Sequence, residues 1–330
     1  MTLTSIIMIL IFLIVKPMSV SGAESDREKY RSFESRLDAG ISAFYRTNWD
    51  EARSIFSDLQ KNDSNDPRPY FFEAMVPFWK YFFADEETGA ARDFLNKSEK
   101  AINVGKKRMK EAPDDTTTVL MMGGLYGYRG LVAASERHYR TAVQSGASGF
   151  SYTRRLMSMS ADNPDVLIGQ GVFHYMMGTI PREARWLTSM VGLSGSRSEG
   201  LRMLEDAATS DTHTSTDARM ILAYLYHEEE RYEEALRIVE PLVETWPENI
   251  IFRYFYALSL DKAGMEERAA QHYRMVVERN HPELQSIRKN GEQRLESFAS
   301  SPESPQTSES SQPPESPRSS ESSQPPEKTE

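Results

Sequence analysis

Residues 216 to 282 contain two similar copies of one pattern, and this duplication constrains the fold more than any other feature. A shift of 34 residues places Ala223 on Ala257 and Ala235 on Ala269. Each copy predicts a helix, a short polar turn and a second helix, because its apolar residues recur at spacings of three and four. Two antiparallel helices approach closely only where a side chain is small, so we expect these alanines at the helix crossings.

This period, with a small residue midway along each first helix and an alanine opening each second helix, resembles the tetratricopeptide repeat. The resemblance implies an all-α fold, a right-handed solenoid of antiparallel helix pairs, and a role in binding other proteins. One unit cannot bury its apolar stripe alone, so further units are expected upstream. Residues 27 to 66 provide one, because Gly40 and Ala52 have the same spacing as Ala223 and Ala235.

Changes in composition and pattern divide the chain into six parts. The last part contains a 12-residue duplication of Ser, Pro, Glu and Gln, which has too few apolar residues to offset the entropy of ordering. The predicted parts are a secretory signal peptide (1–23), N-terminal helical repeats (24–115), a central glycine-rich helical region with an insertion (116–215), a tandem repeat pair (216–282), a capping helix (283–299) and a disordered tail (300–330).

The N-terminal segment predicts export. An apolar run from Ile6 to Val15 is followed by small residues that end at Ala23. The run is shorter than the roughly 20 residues that a membrane span requires, so we expect cleavage after Ala23 and no integral span in the mature chain. The expected location is the periplasm or cell envelope, with secretion as the alternative. A retained N-terminal anchor is also open.

Irregular positions carry three further expectations. Pro77 lies within an aromatic helical pattern and predicts a kink or an end of that helix. Glycines at positions 123, 127 and 130 lie on one helix face and predict the close approach of another backbone. The segment from Gly146 to Gly149 predicts a short flexible joint after a helix pair that begins at Thr116 and ends near Ser145.

Composition argues against several function classes. The net charge of −10 disfavours nucleic acid as a partner, because phosphate binding needs a basic face. The chain has no cysteine, which excludes disulfides and thiol catalysis. His227 and Glu228 resemble half of a zinc-protease motif, but Arg231 replaces the second histidine. We therefore predict no metal, no cofactor and no catalytic set, and the oligomeric state stays open.

The repeat register predicts a partner-binding surface on the inner face of the solenoid. Its residues are mostly apolar or aromatic, which disfavours the capture of a terminal carboxylate and favours a protein or peptide bound by side-chain burial. The alternative is that about half of them pack against neighbouring helices. The predicted residues are Met220, Tyr224, His227, Ile251, Tyr254, Leu258 and Asp261.

Two other functions stay open. The first is a hydrolase or small-ligand-binding protein built around His174, with Tyr175 and Arg182, in the glycine-rich middle. Gly169 and Gly171 there resemble part of a dinucleotide fingerprint, but the setting is a helix rather than a turn after a strand. The second is a structural subunit whose helical stack forms an oligomer.

Overall fold

The computed structural model describes residues 20–84, 87–159, 164–179, 194–210 and 214–300. Within those residues the chain forms thirteen helices and no strand. The predicted signal segment before residue 20, most of the predicted insertion, Arg182 and the predicted tail from residue 301 lie outside the described residues.

Apart from the segment between Thr179 and Arg197, successive helices are joined by only a few residues. No described helix combines the length and the apolar character that crossing a membrane requires. The helices are α1 (Val20–Tyr45), α2 (Trp49–Asn62), α3 (Arg68–Phe82), α4 (Glu87–Glu111), α5 (Thr116–Ser135), α6 (Tyr139–Met159), α7 (Pro164–Thr179), α8 (Arg197–Thr209), α9 (Ser215–Glu228), α10 (Tyr232–Thr245), α11 (Ile250–Lys262), α12 (Glu266–Arg279) and α13 (Gln285–Ser300).

The helices stack as antiparallel pairs, each of which packs on the next. Each helix contacts its successor, and in addition α1 contacts α3, α3 contacts α5, α5 contacts α7 and α11 contacts α13. The first helices of these pairs therefore form an inner layer, and the second helices cover it. This arrangement confirms the predicted all-α solenoid of helix pairs.

The four alanines that the 34-residue shift aligns lie at the predicted helix crossings. Ala223, Ala235, Ala257 and Ala269 are all fully buried. At the start of the stack, Ala52 is buried too, and a β-carbon on Gly40 would lie 2.6 Å from the ring of Phe56. Small residues thus set the spacing between helices in the first and last repeats alike.

The structure corrects two predictions about helix ends. Residues Gly146 to Gly149 are not a flexible joint but lie inside α6, and the helix pair ends at Met159. A β-carbon on Gly149 would lie 3.2 Å from the backbone nitrogen of Gly127, so the glycines of α5 and α6 serve a close helix crossing. Helix α3 continues through Pro77, so the predicted end there is wrong.

The first helix pair contacts the last repeat. The ring of Tyr45 packs on Trp246, with centroids 5.2 Å apart. Asn249 caps α11 by accepting a hydrogen bond from the Phe252 backbone N–H at 2.9 Å, and its amide donates to the Tyr45 carbonyl oxygen at 2.6 Å. Asn249 is 1% exposed, so both bonds form away from water. We call this contact the end-to-end interface.

Ion pairs extend the end-to-end interface at its margin. The carboxylate of Glu283 accepts from Arg53 at 2.5 Å and from Lys80 at 3.2 Å. Trp49 packs edge-on against His281, with ring centroids 5.5 Å apart. Helices α2 and α3 are therefore both joined to the segment between α12 and α13.

Candidate binding cavity

A cavity of about 300 Å³ lies on the inner layer of the solenoid. Helices α1, α3, α5, α7 and α9 all contribute to its wall, and each is the first helix of its pair. Ten of its nineteen lining residues are aromatic, two are acidic and none is basic. Its volume is at the lower end of the roughly 300–1,000 Å³ typical of ligand pockets.

Helix α3 supplies most of the aromatic wall. Its sequence places aromatic residues at spacings of three, four and seven, which brings them to one side of a helix. Pro69 in the first turn suits the helix start, because the first backbone N–H groups have no partner within a helix. The aromatic residues that face the cavity from α3 and its end are Phe71, Phe72, Phe78, Trp79, Phe82 and Phe83.

Rings from three helices converge at the cavity. Phe78 lies 4.5 Å from Tyr128 of α5, measured between ring centroids, and 5.4 Å from Phe82. Tyr224 of α9 lies 5.3 Å from Phe82 and 6.0 Å from Phe83. These separations are typical of favourable aromatic pairs, so the packing itself holds the ring orientations.

Asp217 places a carboxyl group within the apolar wall. Asp217, in the first turn of α9, is partly buried, and burial raises its pKa to about 6, while a hydrogen bond from the Tyr45 hydroxyl opposes that rise. Burial, together with the charge of Asp217, also raises the pKa of Tyr128. Burial raises the pKa of Tyr45 as well, so the hydroxyl groups of Tyr45 and Tyr128 both stay protonated. A protonated tyrosine hydroxyl can donate a hydrogen bond to a carboxylate.

The side chains at the edge of the cavity are more exposed than those at its floor. Met176 at the edge is 40% exposed, and Glu228 is exposed. At the floor, Phe44 and Met220 are each 1% exposed. Burial, with the nearby charge of Glu228, raises the pKa of Tyr224 to about 12, so this tyrosine also stays neutral.

The structure separates the seven residues predicted for the partner-binding surface. Met220 and Tyr224 line the cavity. Ile251 is fully buried, and Leu258 is half-buried. Asp261 accepts two hydrogen bonds from Arg294 of α13, at 2.6 and 2.7 Å, so the capping helix engages it.

The two remaining residues of that set also lie away from the cavity. Tyr254 packs on Tyr273, with ring centroids 6.0 Å apart. The ring of His227 lies 5.2 Å from that of Tyr232 and 5.1 Å from that of Phe255, measured between centroids. Burial lowers the pKa of His227, as does the charge of Lys262. The structure therefore places two of the seven predicted residues at the cavity. The aromatic residues of α3 and Asp217 also line it, and the 34-residue repeat pattern does not predict them.

The glycine-rich middle has a packing role. A β-carbon on Gly171 would lie 2.9 Å from the Gly200 carbonyl oxygen, and one on Gly200 would meet the Tyr175 backbone nitrogen at 2.4 Å. These glycines bring α7 and α8 into close contact, as helix crossings of this kind require. Tyr175 lines the cavity, whereas His174 does not.

A second groove of about 890 Å³ lies near the start of α3 and α5. Several of its charged residues are paired. Arg68 binds Glu34 at 2.8 Å and Asp66 at 2.7 Å, and Arg108 binds Asp115 at 3.1 Å. Among the described residues no group of three His, Asp or Glu could hold a metal ion. The aromatic cavity is therefore the better candidate site.

The stacked helix pairs and their inner cavity define a helical-repeat protein. The family model described as Iml2/Tetratricopeptide repeat protein 39 matches residues 162–289, which cover α7 to the start of α13. Over these residues the chain is similar to tetratricopeptide-repeat proteins. No curated protein matches the sequence.

The solved structures that are similar to this chain include three helical-repeat proteins. A thermophilic tetratricopeptide-repeat protein of Thermus thermophilus has 17% identity and a TM-score of 0.43, over 69% of this chain and 98% of its own. Yeast Tom70 has 12% identity and a TM-score of 0.33, over 81% of this chain and 65% of its own. The P58(IPK) tetratricopeptide-repeat domain has 13% identity and a TM-score of 0.26, over 82% of this chain and 100% of its own.

Proposed function

We propose that this chain is an exported helical-repeat scaffold that binds a protein or peptide partner of the cell envelope, without catalysis. The observation that carries the proposal is the aromatic cavity, to which five successive first helices contribute. A concave surface of rigid aromatic rings binds side chains of an extended or helical segment by burial. Aromatic residues also dominate the binding energy of protein interfaces, since they bury a large area at a small entropic cost.

The residues that line the cavity favour binding over chemistry. They include no histidine, serine or lysine, and the two carboxyl groups, from Asp217 and Glu228, lie at opposite ends of α9. Nucleophilic catalysis requires a nucleophile beside a base. The lining therefore supports recognition of a ligand surface.

Site-specific photocrosslinking tests this function. Tyr224 is replaced by a photoreactive phenylalanine analogue, and the full chain is irradiated in its own cells. The matched control carries the same analogue at Tyr139, a tyrosine that is 66% exposed on α6 and does not line the cavity. We expect a discrete protein adduct from position 224 that is missing from position 139.

Either of two results would refute the binding role. One is the absence of any protein adduct from position 224. The other is an identical set of adducts from both positions, which would indicate random collision rather than a binding surface. A Tyr224→Ala variant should also lose co-purification with the crosslinked partner, whereas Tyr254→Ala should retain it, because Tyr254 packs outside the cavity.

The exported location is proposed from the sequence of the N-terminal segment. The apolar run from Ile6 to Val15 and the small residues up to Ala23 support it. Intact-mass measurement of the chain recovered from the cell envelope should give a polypeptide that begins near Glu24. Recovery of the whole chain from the cytoplasm alone would contradict export.

A further inference from the structure

We propose that the aromatic cavity recognises an alkylammonium cation, the group carried by a quaternary amine or by a lysine side chain of a partner. The inference rests on the proposed function, because it names the chemistry that the same cavity accepts. Two independent features lead to it, the ring arrangement and the charge of the wall.

Aromatic rings from several helices line the same cavity. Rings from α3, α5 and α9 have centroids 4.5 to 6.0 Å apart at this point. The face of an aromatic ring carries partial negative charge and attracts a cation within about 6 Å of the centroid. A cation inside this space can contact several rings at once, which a flat surface does not allow.

The charge of the cavity wall is negative, which is complementary to a cation. Asp217 and Glu228 line the cavity, and no basic side chain does. A carboxylate in an apolar wall is costly unless a cation or several hydrogen-bond donors compensate it. Tyr45 supplies one donor to Asp217, and a carboxylate offers about four acceptor sites. The remaining acceptor capacity is available to a ligand in the cavity.

Arg197, which packs on the cavity-lining Tyr175, does not fill this role. The guanidinium of Arg197 lies 5.5 Å from the centroid of Tyr175, but it pairs with Glu229 at 2.9 Å. Lys80 of α3 is bound to Glu283 in the end-to-end interface. Both cations are thus engaged elsewhere, and Asp217 keeps its charge available for a ligand.

Other ligand classes fit this wall less well. An anion would be repelled by Asp217 and Glu228. A neutral apolar ligand would fill the volume but leave the charge of Asp217 uncompensated in a drier environment. An alkylammonium group satisfies both features, since its methyl or methylene groups contact the rings while its charge pairs with the carboxylate.

Calorimetric titration of the full chain with choline tests this directly. The control ligand is 3,3-dimethylbutan-1-ol, which has the shape of choline and no charge. We expect choline to bind at least tenfold more tightly than the neutral analogue. Asp217→Asn should weaken choline binding about tenfold or more, whereas the matched variant Asp206→Asn, at an exposed site on α8, should not change it.

The same titration has an expected pH dependence. The groups that face Asp217 are Tyr45 of α1 and Tyr128 of α5, and the cavity also contains Tyr175, Tyr224 and Glu228. The tyrosines stay neutral because burial raises their pKa values. With a carboxyl pKa of about 6, choline affinity should fall about tenfold from pH 7 to pH 5, and the Asp217→Asn variant should show a flat profile.

The outcomes separate this inference from the proposed function. Equal binding of choline and its neutral analogue, or binding of neither, overturns the ammonium inference, even if the Tyr224 crosslink identifies a partner. Choline binding that depends on Asp217 supports it, even if no protein crosslink forms. Where a partner is crosslinked, acetylation of its lysines should abolish the adduct if the cation belongs to the partner. An adduct that persists after acetylation, together with choline binding, assigns the cation to a free small molecule.

Discussion

Replacing Asp217 with asparagine should stabilise the protein at neutral pH, although it is expected to weaken ligand binding. The pKa of this carboxyl is about 6 in the folded chain, above its ordinary value of 3.8. Folding therefore disfavours the charged form. The folded chain binds more protons than the unfolded chain between these two pKa values, so the unfolding free energy falls as pH rises from about 4 to 6 and is level above that.

The size of the effect follows from the shift. A displacement of about two pKa units corresponds to a cost of at most about 3 kcal/mol above pH 6. Asparagine removes this cost and keeps the shape and the acceptor for Tyr45. The gain expected at pH 8 is therefore positive and at most about 3 kcal/mol.

Urea unfolding followed by circular dichroism at pH 8, 5 and 3.5 measures this gain. The variant should be more stable than the parent chain at pH 8, and the difference should shrink towards zero at pH 3.5, where both side chains are neutral. Asp206→Asn serves as the control and should show no such convergence. The reasoning is refuted if Asp217→Asn is less stable than the parent at pH 8, or if the difference does not depend on pH.

Three further variants test the packing. Asn249→Ala should lower the unfolding free energy by about 2–3 kcal/mol, because it removes the cap of α11 and leaves the buried Tyr45 carbonyl unpaired. Asn48→Ala should change it little, since the Asn48 side chain makes no cap bond to α2. Urea unfolding compares the two variants. Gly149→Ala should destabilise the chain, because its β-carbon would meet the backbone of α5. Gly146→Ala should stabilise the chain by up to about 1 kcal/mol, because its β-carbon meets nothing within 4 Å and alanine favours a helix. Thermal unfolding measures both changes. Burial alone would raise the pKa of Glu283, but its hydrogen-bonded ion-pair partners Arg53 and Lys80 lower it below its ordinary value of 4.5. Glu283→Gln should therefore destabilise the chain above pH 5, and the loss should shrink as the pH falls below 4.5, as urea unfolding across this pH range will measure.

Much of the architecture could be predicted from the sequence because its determinants are local. The period of 34 residues sets the length of a helix pair, and the alanines mark the crossings. Burial of Ala223 and Ala257 follows directly from that pattern. The glycine signal is ambiguous, however, since a glycine run favours a loop in isolation and a close helix crossing in a bundle. Gly149 serves the second purpose.

The candidate cavity is only partly predictable. The register places Met220 and Tyr224 on the inner face, and both line the cavity. It cannot show that α13 engages Asp261, since that contact joins residues with no shared periodic pattern. In sequence, Asp217 resembles an ordinary acidic residue in a first helical turn. The available signal is its position three residues before Met220 and seven before Tyr224, on an otherwise apolar stripe.

The end-to-end interface has a consequence for how the chain acquires its structure. A tetratricopeptide stack with free ends can begin folding at any repeat and extend from there, since each unit depends only on its neighbours. Here the carbonyl groups of Tyr45 and Thr47 bind Asn249 and His281, which are synthesised more than 200 residues later. The first helix pair therefore completes its contacts last, and loss or gain of one whole repeat would shift Asn249 away from Tyr45. In this chain the contact between the first helix pair and the last repeat therefore constrains the number of repeats.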